Sequence, residues 1–191
     1  MPTPDTALTR AADALLTTAS PPLLVNHCKR TFIFATALLH RGYDVEALYV
    51  ASMLHDLGMT ASYEDGVTPF ERRGAEAAAD ALRALDADSE FVSLVHDAIA
   101  LHLEVTTAKD PRPEVAGVSL GAAVDVLGLR LDQIPPKVLT EALERFPRGD
   151  LKPFLIEAMQ REARLKPHSR IAQHVAQFGF TELIANAPFA S

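Results

Sequence analysis

Helix-breaking residues recur about every 12 to 20 positions along this chain, and the stretches between them space their apolar residues by three and four. That pattern admits short helices and little else: a strand buries alternate residues, whereas a helix buries a stripe of period 3.6. Leu24, His27, Thr31, Phe34 and Leu38 make one such stripe, in a helix expected over about 23–41 and ended by Gly42. Asp44 is placed to cap a helix running through Val45, Leu48, Ser52 and His55 to Gly58. Ahead of these, an Ala/Leu-rich helix is expected over 5–18, stopping before Pro21-Pro22. After a loop over 58–67, Thr68-Pro69-Phe70-Glu71 reads as a capping box opening a helix to about Leu85, and Asp88 caps another to about Leu103. A loop with two prolines covers 106–114, a short apolar helix 119–127, and further helices 136–146, 150–165 and 168–178. No strand candidate exceeds four residues. The expected fold is all-α, a compact helical bundle.

At 191 residues the chain has the length of one domain. Acidic residues outnumber basic ones 25 to 18, for a net charge of −7. With no basic tract, the expectation is no nucleic-acid and no anionic-membrane partner. The single cysteine, Cys28, excludes an internal disulfide and a cysteine-cluster metal site, and suits a reducing compartment. The apolar run over 32–39 is too short to span a bilayer, and residues 1–19 contain Arg10 without the apolar core of a secretory signal. A cytoplasmic protein is expected, and an oligomer is compatible with all of this.

Several residues stand out against that background. Asp125 lies in Gly121-Ala122-Ala123-Val124-Asp125-Val126-Leu127, apolar on both sides. A buried carboxylate is costly unless paired, hydrogen-bonded or bound to a metal, and Arg30 or Lys29 would serve as an ion-pair partner. His55-Asp56 falls in the last turn of its helix, where the macrodipole disfavours an acid by about 0.3–1 kcal/mol unless a cation is near. His27 sits on an apolar stripe, and His102 in Ala98-Ile99-Ala100-Leu101-His102-Leu103 repeats the situation. His96, six residues before His102, should face another way. His40, His168 and His174 read as surface residues, and Cys28 as a small buried thiol. His27, His55, Asp56, His102 and Asp125 are then five metal-capable groups on different helices or helix ends, as bundles build metal sites from facing helices.

The order His27, His55-Asp56, His102, Asp125 in an all-α chain resembles the HD-domain metal hydrolase superfamily, with 28 residues from His27 to His55 and 69 from Asp56 to Asp125. Phe70-Glu71 before Gly74-Ala75-Glu76-Ala77-Ala78 looks most like the cyanamide-hydratase-like branch. So do Phe146-Pro147-Arg148 with Phe154, and Lys166-Pro167-His168. The resemblance implies one HD domain over 1–191, with a core over about 22–130 and helices over 131–186 packed on it. It also implies a metal site inside the bundle, with His27, His55, Asp56 and Asp125 as ligands. Two departures stand out. Met59-Thr60 occupies the place where many phosphohydrolase members have a lysine soon after the doublet, and Leu101-His102-Leu103-Glu104 supplies one histidine where dinuclear members have two. Both favour a single metal and a substrate other than phosphate.

Two imidazoles and two carboxylates without thiolates suit a divalent transition ion, Zn²⁺ favoured, with Fe²⁺, Mn²⁺ or Ni²⁺ as alternatives. A metal lowers the pKa of a bound water from 15.7 to about 7. His102 is then expected beside that water as proton carrier, with Asp56 the other catalytic residue, and Thr31 and Thr60 orienting the substrate. The expected activity is hydrolysis or hydration of a small molecule at a cyanamide- or nitrile-like carbon. The alternatives are a phosphohydrolase using Lys29, Arg30, Arg72 and Arg73, and a non-catalytic domain held together by its metal.

Overall fold

A computed structural model describes residues 3–39 and 41–190. These residues form ten α-helices joined by turns, four of them 3-10, and no strand is present among them. The helices are α1 (Ala7–Ala19), α2 (Pro22–Leu39), α3 (Val45–Leu54), α4 (Phe70–Arg83), α5 (Ser89–Ala100), α6 (Pro113–Leu127), α7 (Pro136–Arg145), α8 (Leu151–Leu165), α9 (Arg170–Phe178) and α10 (Phe180–Ala185). The all-α expectation holds. None of the described helices is long and apolar enough to cross a membrane.

The centre of the bundle is α3, whose residues from Ala47 to Leu54 are all buried. Such a helix is apolar on every side and must be wrapped. The wrapping comes from α1, α2, α5 and α6. Asp44 caps α3 by accepting from the backbone N–H of Glu46 and Ala47, and Asp88 caps α5 in the same way. A second cluster joins Phe70 of α4 to Leu151, Leu155 and Met159 of α8, Ile171 of α9 and Ile184 of α10. A third, with Phe34, Val124, Ile134 and Ala142, binds α2, α6 and α7.

Four local expectations are corrected. The capping box at Thr68 does not form: Pro69 holds the cap position without a side-chain bond, and the Phe70 N–H donates instead to Glu162 Oε1 of α8 at 2.9 Å. The helix carrying Asp125 begins at Pro113, six residues before the expected start. Proline is tolerated in the first helical turn because that turn's N–H groups have no intrahelical acceptor. Helix α3 stops at Leu54, so His55 is its C-cap, and a 3-10 turn follows over Leu57–Met59. A tenth helix, α10, continues the chain beyond Gly179, whose φ of +59° turns it out of α9.

Among the described residues the α2–α6 contact is the most extensive, and a glycine makes it close. A Cβ on Gly121 would stand 2.2 Å from the Thr31 carbonyl oxygen and 3.1 Å from Ala35. The obstacle is backbone and cannot rotate away. Gly121→Ala should therefore cost about 2–3 kcal/mol, and a thermal melt should show a fall of about 5–10 °C. An unchanged melting temperature would show that the helices separate freely.

Candidate metal centre

Three helices deliver the expected residues to one place. His27 lies on α2, a turn before Arg30. His55 caps α3, and Asp56 follows with φ −104° and ψ 8°, the sparsely populated region where active-site residues often sit. His102 follows directly after Leu101, the C-cap of α5. All four side chains are buried, and all four line one cavity.

Each of the three imidazoles is held from behind. The His55 Nδ1–H donates to the Ser52 carbonyl at 2.8 Å, and that of His102 to the Ile99 carbonyl at 2.7 Å. His27 Nδ1 is 2.7 Å from Asp125 Oδ2, an acceptor because arginines keep that carboxylate ionised. Carbonyls and carboxylates only accept, so the proton of each neutral ring belongs on Nδ1 and the lone pair on Nε2. Those lone pairs converge. His27 Nε2 is 3.1 Å from His55 Nε2, and Asp56 Oδ2 is 3.3 Å from the first and 3.4 Å from the second.

Two lone pairs and a carboxylate at these distances repel unless a positive charge lies among them. Burial alone would depress His27, but contacts with Asp125 and Asp56 outweigh it and raise its pKa. Burial takes His55 down to about 4. Burial would raise Asp56, yet the imidazoles of His55 and His27 hold it well below the usual carboxylate range. The cluster is thus built to hold one cation. His27, His55 and Asp56 can place one ligand atom each within 4.8 Å of one another. Ligand atoms about 2.0–2.2 Å from a tetrahedral ion stand about 3.3–3.6 Å apart, close to the observed separations. The donor set fits a divalent metal.

Asp125, expected as a fourth ligand, stands apart from the other three. It is wholly buried and does not line the cavity. Arg30 grips it with two bonds, Nε to Oδ1 at 2.7 Å and Nη2 to Oδ2 at 2.8 Å. Arg148 Nη1 donates to both Oδ1 and the Asp125 carbonyl at 2.7 Å. Its remaining contact, to His27 Nδ1, makes Asp125 the group that orients a ligand. The ion-pair alternative with Arg30 is the one realised. Nothing in the sequence assigns Arg148 to this carboxylate, although Phe146-Pro147-Arg148 carries part of the resemblance.

Other residues fall as follows. His102 Nε2 is 3.8 Å from Asp56 Oδ1, beside the cluster and outside it. Thr31 and Thr60, expected to orient substrate, do not line the cavity: Thr31 is buried against α6, and the Thr60 hydroxyl donates to the Leu57 carbonyl at 2.9 Å. His96 faces Glu76 and Asp97, away from the site as expected. Cys28 is a buried thiol, raised by burial, with Sγ 3.9 Å from His55 Nδ1. His168 is exposed, whereas His174, expected at the surface, is buried on the cavity wall. His40 lies outside the described residues.

The cavity has a volume of about 350 Å³. Its wall away from the cluster is mostly apolar, with Leu120, Val126, Leu127, Leu155, Met159 and Phe180 prominent and Glu104, Ser119 and Arg130 as polar members; α6 supplies much of it, and α8 to α10 add to it. Periodicity alone gave no sign that those helices would face the site.

Comparison with known families completes the assignment. The family model for the HD domain matches residues 24–140, more than half of the chain, and the chain belongs to that family. A search of curated proteins finds no match.

Two substitutions distinguish a role for Asp125 behind His27 from that of a ligand. Asp125→Ala should lose about 3–5 kcal/mol even in excess chelator, because it strands two buried arginines. His55→Ala should lose most of its stability difference only when metal is present, through the binding it no longer has. Chemical denaturation with and without chelator distinguishes them. An Asp125 effect confined to the metal-loaded protein would make it a ligand after all.

Proposed function

We propose that the chain is a metal-dependent hydrolase or hydratase acting at an electrophilic carbon, nitrile- or amide-like, of a small and largely apolar molecule. The observation that carries this reading is the pair of Nε2 lone pairs 3.1 Å apart beside Asp56, at the polar end of an apolar cavity. His27, His55 and Asp56 would hold the ion, Zn²⁺ favoured, with Fe²⁺, Mn²⁺ or Ni²⁺ also suited to nitrogen and oxygen donors. Its contribution when bound is to acidify a coordinated water from a pKa of 15.7 to about 7.

The remaining work falls to the chain. Asp125 fixes the His27 tautomer and keeps its Nε2 lone pair forward. Burial lowers the pKa of His102, so the ring is neutral near pH 7, with its Nδ1–H committed to Ile99 and Nε2 available as an acceptor. Nε2 takes one proton from the attacking water as its oxygen bonds to the substrate carbon. That proton then passes to the substrate nitrogen. A nitrile thereby gains the elements of water as an imidic acid, whose remaining hydroxyl proton moves from oxygen to nitrogen to give the amide. An amide-like substrate instead breaks its C–N bond and releases the amine.

Carbon is favoured over phosphorus by how few cations the wall presents: among the described residues Arg130, exposed at the rim, is the only Arg or Lys that lines it. A phosphate transition state needs Arg, Lys or further metal around its oxygens. Lys29 is committed to Asp13 and Tyr49, Arg30 to Asp125, and Arg73 to Glu64 and the Gly58 carbonyl, while Arg72 is exposed. None of the four lines the cavity. The donors also open onto a cavity whose rim includes exposed Val105 and Leu129, which supports a catalytic ion over a sealed structural one.

The test is metal analysis of the purified chain, followed by a screen of cyanamide and small nitriles against nucleotides and a generic phosphodiester. One ion per chain and amide formation from a nitrile are expected. His102→Ala should cut turnover by about 10²–10⁴ while retaining the ion. Efficient phosphate release without reaction of any nitrile would overturn the reading, and parallel loss of metal in His102→Ala would make His102 a ligand.

A further inference from the structure

The remaining buried histidine on the cavity wall is His174. It lies on α9, 8 % exposed, with the rings of Phe178 and Phe180 at 5.6 and 5.7 Å. Its Nε2 is fully enclosed and has no hydrogen-bond partner. The three other histidines of the cavity each have an acceptor behind Nδ1. A buried polar group left without a partner in a native fold calls for an explanation, because it forfeits the hydrogen bonds it had with water. Arg170, one turn earlier, donates through Nε to Glu104 Oε1 at 2.9 Å and ties α9 to the cavity rim. Burial, reinforced by the Arg170 charge, lowers the pKa of His174 and leaves the ring neutral, with one donor and one acceptor to offer.

The size of the cavity points the same way. Its 350 Å³ exceeds several-fold the roughly 30 Å³ that a water occupies in the liquid. A three-heavy-atom molecule such as cyanamide would touch the cluster and leave the apolar wall unfilled. Pockets of about 300–1,000 Å³ ordinarily hold ligands with a substantial apolar body and a few fixed polar contacts.

We propose that the substrate has an apolar body of several carbons ending in a hydroxyl or primary amide, and that His174 binds this polar end while the reacting carbon lies at the His27–His55–Asp56 cluster. His174 is thus a specificity-determining residue for the reaction proposed above, on which this inference rests. A turn of the ring brings the enclosed Nε2 to the cavity face, where the substrate's polar end satisfies it, and a purely apolar molecule of the same length leaves it unpaired.

The test uses the full chain with 5-hydroxypentanenitrile and hexanenitrile, probes of equal length that differ by a hydroxyl for a methyl. Dissociation constants are measured by NMR titration, with melting temperatures alongside, for the native chain, His174→Phe and His174→Gln. The native chain should favour the hydroxyl probe by about tenfold or more. His174→Phe should abolish that preference without lowering the melting temperature, since it removes an unpartnered polar group from an apolar wall. His174→Gln, which keeps a donor and an acceptor, should retain part of the preference. No preference in the native chain, or a preference that survives in His174→Phe, overturns the proposal. If His174→Phe does not fold, His174→Gln decides: a retained preference supports the assignment, and its loss in a folded protein overturns it. Turnover is read separately. Hydroxyl preference without amide formation leaves His174 standing and sinks the proposed reaction, whereas equal affinity with amide formation from both probes does the reverse.

Discussion

Everything at the site depends on the carboxylate of Asp125. It receives two bonds from Arg30 of α2, one from Arg148 in the segment between α7 and α8, and faces the ring of His27. Arg30 also donates to the Phe146 carbonyl at 2.6 Å, so the same guanidinium holds the backbone leading to Arg148. A wholly buried carboxylate is tolerated only when its oxygens are all engaged in this way. Burial would raise Asp125, yet Arg30 and then His27 hold it ionised, well below the usual range. The ionised acid in turn decides which nitrogen of His27 carries the proton. The closeness of α2 and α6 at Gly121 is what lets these groups meet.

That arrangement binds the HD core to the chain beyond it. The second apolar cluster brings α8, α9 and α10 against Phe70, and the Glu162 carboxylate supplies the acceptor that α4 lacks at its own start. Glu162 is held by Lys166 at 2.9 Å, which also pairs with Glu64. The C-terminal helices therefore cap α4, pair with the loop that follows His55-Asp56, and close one wall of the cavity. Motifs that carried the resemblance outside the metal set, Phe146-Pro147-Arg148 and Lys166-Pro167-His168, have physical work here through Arg148 and Lys166.

What was legible in the sequence was what local chemistry decides. Asp44 and Asp88 cap their helices because the carboxylate and the N–H groups that donate to it lie within three residues. Thr68 misled because the competing acceptor, Glu162, lies 92 residues away from Phe70. The two prolines hid the start of α6, since a proline at a first helical turn and a proline in a loop read alike. His27, His55 and Asp56 were legible as anomalies on apolar faces, and Asp125 as a buried acid needing a partner. Arg148 could not be assigned to it, because a loop residue declares no direction. His174 was hidden by its polar neighbours Gln173 and Gln177, although its own helix face turns inward.

The central claim is that His27, His55 and Asp56 together hold one divalent ion without help from the neighbouring thiol. X-ray absorption at the metal edge of the loaded, full-length protein tests it most directly. The account predicts a first shell of nitrogen and oxygen at about 2.0–2.2 Å for zinc, with outer scattering from two imidazoles. A sulfur shell at about 2.3 Å would place Cys28 on the metal and contradict it. So would a bound ion showing no imidazole scattering.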